Sequence, residues 1–299
     1  MKVIYALFVA VFASLAVFSQ ADAPFKVTLN NVELTYIERG RGEPVILLHG
    51  GQADYRAWQY ATEHLSKNYR VISYSRRYNY PNKNPIIGSN HSAYVEAEDL
   101  AAFIGKLNLD RVHLVGTSIG GYAALIYAVK HPKKVLTLTL AEPNIHAWVL
   151  ETPAFREFLN NTWVPAGNAF RAGDDREAMR LLVDAFGGTG AFDRMPPTAQ
   201  TIALQNANFF RAATLSADHS PDIDKKKVRR LKVPILLING EKTKPMLLAI
   251  VEEFAKVVPT AERHVIKNAG HGSPREKPEE FTAAVADFLA RRSKKNKRN

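Results

Sequence analysis

The sequence predicts an α/β fold, a mostly parallel sheet covered by helices on both faces, and three observations predict it. Short apolar runs of strand length recur along the chain and alternate with longer segments whose apolar residues repeat at helical spacing. Several of these runs are apolar throughout, as strands buried on both faces are. The alternation stops once, between Pro143 and roughly Val228, where only helices and loops are legible.

Composition sets the bounds. The 299 residues are 46% hydrophobic, 10% aromatic and 23% charged, which excludes extended disorder, a coiled coil and a collagen-like fibre. With no cysteine, a disulfide framework, a thiolate-ligated zinc and a cysteine nucleophile are all excluded. The formal charge is +11, of which Arg291, Arg292, Lys294, Lys295, Lys297 and Arg298 supply six. Residues 291–299 therefore read as a solvated basic tail rather than a nucleic-acid arm.

Taken in order, the elements begin with an apolar run, Val3–Phe18, behind Met1-Lys2. It is shorter than the roughly 20 residues of a bilayer span. Ala21 and Ala23 sit at the spacing a signal peptidase reads, so residues 1–23 are expected to be the signal peptide of an exported protein, periplasmic or secreted. An uncleaved anchor is the alternative. Lys26–Leu29 and Glu33–Ile37 alternate around Asn30-Asn31 and read as a hairpin. Val45–Leu48 ends in His49-Gly50-Gly51, and Tyr69–Ser73 ends in Ser75-Arg76-Arg77. A helix is expected from His91 to Lys106, a strand over Val112–Val115, and a second helix over Ala123–Val129. Val135–Leu140 follows as a strand. Helices over Thr152–Leu159, Asp175–Phe186 and Thr198–Ala212 fill the interruption. The series resumes with strand Pro234–Ile238, helix Met246–Val257, strand Arg263–Ile266 and helix Pro278–Ala290. An insertion between two strands, on the side where strands end, would lie over the active face as a lid. The expected organisation is a core of residues 24–142 and 229–290 with a helical lid over 143–228.

Three short segments carry chemistry. Gly116-Thr117-Ser118-Ile119-Gly120 lies between a strand and a helix, where a G-x-S-x-G turn holds its serine in a strained conformation above the sheet edge. Ser118 is the candidate nucleophile, and the Ile119 amide a candidate oxyanion donor. His49-Gly50-Gly51 brings backbone close to a ligand, with Gly51 the second donor and His49 a structural residue. Asn268-Ala269-Gly270-His271-Gly272 follows the last strand, so His271 is the candidate base.

Together, a strand ending in His-Gly-Gly, Gly-x-Ser-x-Gly between strand and helix, and a late Gly-His resemble the α/β-hydrolase superfamily, from about Lys26 to Ala290. The resemblance implies an eight-stranded, mostly parallel sheet, a lid after the sixth strand and a Ser–acid–His triad. Arg77 resembles the arginine of the superfamily's usual Asp-x-Arg-Gly segment, with Ser75 and Tyr78 replacing the Asp and Gly. The acid departs from the pattern. It usually follows the seventh strand, but Gly240-Glu241-Lys242-Thr243 puts a threonine where the Asp is expected. A threonine cannot carry the charge that stabilises an imidazolium. Glu142, directly after the sixth strand, answers the need, as in superfamily members such as haloalkane dehalogenases that look like this. Glu241 reaching in, or no carboxylate at all, stays open.

A serine at this turn argues against dehalogenases and epoxide hydrolases of similar fold, which use an Asp nucleophile. The expected function is a serine hydrolase cleaving a carboxylic ester or related acyl bond of a small, largely apolar substrate. Its alternatives are a non-catalytic ligand-binding member of the fold and a cofactor-free perhydrolase or C–C bond hydrolase. Trp148, Phe155, Phe158, Trp163, Phe170, Phe186, Phe192, Phe209 and Phe210 divide between core and an apolar pocket. No metal or phosphate-binding motif appears, so no cofactor is implied. Lys225-Lys226-Lys227 with Arg229, Arg230 and Lys232 reads as a solvated face. The expected partner is a small-molecule substrate and not nucleic acid, with membrane contact only through the leader or the basic clusters.

Overall fold

The computed structural model describes residues 23–296 apart from Asn90 and His219. The expected signal peptide lies outside them except for Ala23. Eight strands form one sheet: β1 (Phe25–Leu29), β2 (Val32–Arg39), β3 (Pro44–Leu48), β4 (Arg70–Tyr74), β5 (Val112–Thr117), β6 (Val135–Ala141), β7 (Ile235–Gly240) and β8 (Glu262–Ile266). Their order is β1-β2-β4-β3-β5-β6-β7-β8. β2 pairs antiparallel with both β1 and β4, and all the remaining pairs are parallel. Asn30 at φ 44° and Asn31 at φ 59° make the opening turn, the left-handed pair that a two-residue hairpin loop demands.

Alternation along the strands explains the continuous apolar runs. Val45, Leu47, Val71, Val115, Leu236 and Ile238 face one side, against Trp58, Phe281, Val285 and Phe288. Ile46, Leu48, Ile72, Leu114, Leu138 and Leu237 face the other, against helices Ala93–Lys106, Ser118–Lys130 and Pro245–Val257. Both faces are covered, so both sets of side chains must be apolar.

Several helices differ from expectation. The helix expected from Ala123 begins at Ser118 itself. Between β6 and β7, the helix expected over Thr152–Leu159 runs on through a π turn, Leu159–Trp163, into Val164–Arg171, the one expected over Thr198–Ala212 is two, Pro197–Gln205 and Ala207–Thr214, and short helices add Ala191–Arg194 and Lys225–Arg229. Pro165 directly follows that π turn, whose wider hydrogen-bond spacing accommodates a missing amide inside a continuous helical run. The last helix runs past Ala290 to Asn296, so the expected tail begins as helix, with exposed Arg291 and half-buried Arg292 both paired to Glu262.

Candidate active site

Close packing shapes the turn at Ser118. A Cβ on Gly116 would stand 2.6 Å from the Cα of Gly121, and one on Gly120 would stand 2.5 Å from the His49 carbonyl oxygen. The end of β3 therefore lies hard against the turn that follows β5. Ser118 sits at φ 52°, a region costing a non-glycine residue about 1–3 kcal/mol and held only by such surroundings. The first amides of its helix have no intrahelical acceptor, and Ile119 supplies one of them. Gly120→Ala would force backbone apart. We expect a loss of about 1–3 kcal/mol or more, with the turn displaced; a urea midpoint equal to the parent's would contradict this.

The loop after β3 brings the second candidate donor. A Cβ on Gly50 would lie 3.4 Å from the Ser118 Cβ, and one on Gly51 would lie 2.5 Å from Phe210. His49 is buried, with its Nδ1 2.8 Å from the Gly50 carbonyl oxygen and its Nε2 accepting from the Arg76 amide at 3.0 Å. Burial, aided by the Arg76 charge, pushes the His49 imidazole down to about 3, so it is neutral and structural.

Arg76, which the motif comparison passed over in favour of Arg77, is the brace of this loop. It is wholly buried, donates from Nε to the His49 carbonyl at 3.0 Å and from Nη2 to the Gly50 carbonyl at 3.2 Å, and pairs with Glu96 at 2.9 Å. Burial alone would push the Glu96 carboxyl up, but the Arg76 charge, the His91 hydrogen bond and charge and the His49 charge together outweigh it and bring it down to about 2. Losing either partner would strand a buried charge, a cost of about 3–5 kcal/mol. Arg77 instead pairs with Asp99 at 2.7 Å. Only burial separates the two neighbours, and no sequence signal marked it.

Stability should depend on pH through the buried imidazoles. Burial also holds His113 below the ordinary histidine range. Both rings take protons less readily in the fold than in the unfolded chain, which does so below about 6.5, so stability is full above that pH and falls as pH drops. The slope from His49 alone should reach about 1.4 kcal/mol per pH unit, and His113 adds in the same direction. Below about 4.5, Glu142 and Glu96 add to the loss, since both are held under the ordinary carboxylate range. Urea midpoints equal at about pH 6.5 and pH 5 would refute this.

The candidate base and acid meet across the sheet edge. His271 Nδ1 lies 2.7 Å from Glu142 Oε2, and Glu142 is 2% exposed at φ 46° immediately after β6. The other carboxylate oxygen, Oε1, accepts from the Gly240 amide at 2.9 Å and from the Thr243 hydroxyl at 2.5 Å. Burial would raise this carboxyl, but the His271 hydrogen bond and charge, with the Gly240 and Thr243 donors, hold it below the ordinary glutamate range. Glu241 faces elsewhere: its Oε2 accepts from the Asn268 amide at 2.9 Å, on the loop that carries His271. Thr243 thus serves the relocated carboxylate as a donor, a role missed when it was read only as a missing acid.

Ser118, Ile119, Gly51 and His271 line one cavity of about 350 Å³, roofed by Phe158, Trp163, Phe186, Phe209 and Phe210 from the inserted helices. Phe155, Phe170 and Phe192 are core instead, and Trp148 packs on Phe254. Buried Asn206 ties the insertion down, donating to Asp54 Oδ2 at 2.9 Å and accepting from the Tyr80 amide at 3.0 Å. A serine, a carboxylate-oriented imidazole and two candidate backbone donors on one apolar cavity form an arrangement suited to acyl transfer.

A family model described as the alpha/beta hydrolase fold matches residues 43–278. The chain is 28% identical over 278 residues to the 2-hydroxy-6-oxo-6-(2'-aminophenyl)hexa-2,4-dienoic acid hydrolase of Metapseudomonas resinovorans, covering 89% of this chain and 91% of that protein. Its fold is similar to that of a thermophilic esterase from Thermogutta terrifontis, with TM-score 0.74 and 24% identity over 90% of this chain and 99% of that one. It is similar also to the enol-lactonase from Burkholderia xenovorans, with TM-score 0.73 and 19% identity over 89% and 99%. At those identities the two structures speak for the fold alone.

Proposed function

The chain belongs to the alpha/beta hydrolase fold family, and from that premise we propose that it is a serine hydrolase cleaving an ester or related acyl bond of a small, largely apolar substrate. The observation that carries this reading is the hydrogen bond of His271 Nδ1 to Glu142, which leaves Nε2 free to act as base in the cavity that Ser118 lines. Ser118 Oγ attacks the substrate carbonyl while His271 Nε2 takes its proton. The resulting oxyanion is met by the Gly51 and Ile119 amides. Collapse expels the leaving group, which takes the proton back from His271, and water then releases the acyl group by the same steps in reverse order. Aromatic walls and a volume near 350 Å³ favour a compact acyl or aryl group over a long chain.

A second reading has one specific support, the Metapseudomonas relative. A 6-oxo dienoic acid contains no ester, so its hydrolysis adds water across a carbon–carbon bond beside the ketone. The same serine and oxyanion donors would serve, with a proton delivered to carbon.

A fluorophosphonate probe should label the parent at Ser118 and leave Ser118→Ala unlabelled. No labelling of the parent would favour a ligand-binding role. Comparing kcat/KM for p-nitrophenyl esters of rising chain length with that for 2-hydroxy-6-oxo-6-phenylhexa-2,4-dienoate then separates the two reactions. Export belongs to the same proposal, motivated by the apolar run Val3–Phe18. The mature amino terminus should read near Asp22 or Pro24, and an intact Met1 would favour the anchor.

A further inference from the structure

Two basic segments take no part in the site: Lys225 to Lys232, and the chain from Arg291 onward. Far apart in sequence, they read as two unrelated solvated stretches. The fold brings them together. β5, β6 and β7 begin at Val112, Val135 and Ile235, and around those ends lies a groove of about 700 Å³ rimmed by Arg111, Lys133, Lys227, Arg230, Lys232 and Arg292. Arg292 is paired with Glu262. The other five are exposed, and no described carboxylate forms an ion pair with any of them. The last helix passes the groove at Arg292, so Lys294, Lys295, Lys297 and Arg298 continue in sequence from its rim.

We propose that this pole docks the protein on an anionic lipid bilayer. Five uncompensated cations on one face meet a negatively charged surface without rearrangement, and each Lys or Arg near such a surface strengthens binding about fivefold. The groove floor is apolar, with Val129, Leu136, Leu231 and Val233, which suits the boundary between headgroups and acyl chains. Nucleic acid fits less well. Among the described residues, no aromatic side chain lines the groove to stack on a base. Since the groove lies at the amino ends of the parallel strands while Ser118 and Glu142 follow their carboxyl ends, a docked molecule turns its cavity away from the bilayer. It then acts on substrate from solution. This inference stands apart from the catalytic reading.

The full chain would be co-sedimented with vesicles of phosphatidylcholine alone and of phosphatidylcholine mixed with phosphatidylglycerol, at low and high salt. Binding should be at least about tenfold stronger on the anionic vesicles and should weaken with salt. The neutral vesicles read out what the apolar leader contributes by itself. K227E/R230E/K232E should reduce the anionic binding by about tenfold or more, while its Tm and its ester turnover stay at parent values. Equal binding to both vesicles, or a triple variant that binds like the parent, would overturn the proposal. So would tighter binding to duplex DNA than to anionic vesicles, lost in the same variant.

Discussion

Ser118→Ala should lower ester turnover by about 10⁶-fold, the scale for loss of a triad serine, and leave the fold as stable as the parent. Two features of the turn make this a clean experiment. Ser118 sits at φ 52°, where alanine carries the same backbone strain as serine, so the substitution adds none. Its side chain lines the cavity, so removing one hydroxyl opens no void in the core. What remains would be the activity of the oxyanion donors and of binding alone, typically 10³–10⁴ over water. Active-site titration, a thermal melt and steady-state kinetics on one preparation check it. Turnover within tenfold of the parent from a folded variant would end the assignment of Ser118.

Glu142→Gln should cost about 10²–10⁴ in turnover. The substitution keeps size and removes the charge that offsets an imidazolium. It also disturbs more than one partner, because Glu142 Oε1 accepts from both the Gly240 amide and the Thr243 hydroxyl while Oε2 meets His271. A glutamine has one acceptor oxygen for these three donors, so its amide must face either His271 or the Gly240–Thr243 pair. If the amide nitrogen faces His271, it favours the wrong tautomer. Glu241→Gln should cost far less, since Glu241 accepts from the Asn268 amide and not from His271. Thr243→Asp in the Glu142→Gln background should restore part of the loss, because it returns a carboxylate at hydrogen-bond distance from residue 142. A Glu142→Gln enzyme near parent activity, beside a crippled Glu241→Gln, would reverse the acid assignment.

The sequence alone determined the strand–helix alternation, the parallel sheet and the three segments around Ser118, Gly51 and His271. Each is legible because it is local: a few consecutive small residues impose a backbone path, and period-2 or period-3.6 patterning reports which faces are buried. Glu142 was also within reach as a candidate, since it directly follows a buried strand on the edge where the candidate site lies. Tertiary structure decided the rest. Arg76 and Arg77 are adjacent and chemically alike, yet one braces the His49–Gly51 loop and the other pairs with Asp99. Thr243 became a donor only when β7 was laid beside β6 and its loop met Glu142. Phe186 and Phe192 read identically, but one covers the cavity and the other is core. The two basic segments share a pole only because β5, β6 and β7 start there beside the last helix. Partners this distant in sequence, 129 residues for His271 and Glu142, are set by strand order and register. Those are properties of the whole sheet, and no short stretch of chain encodes them.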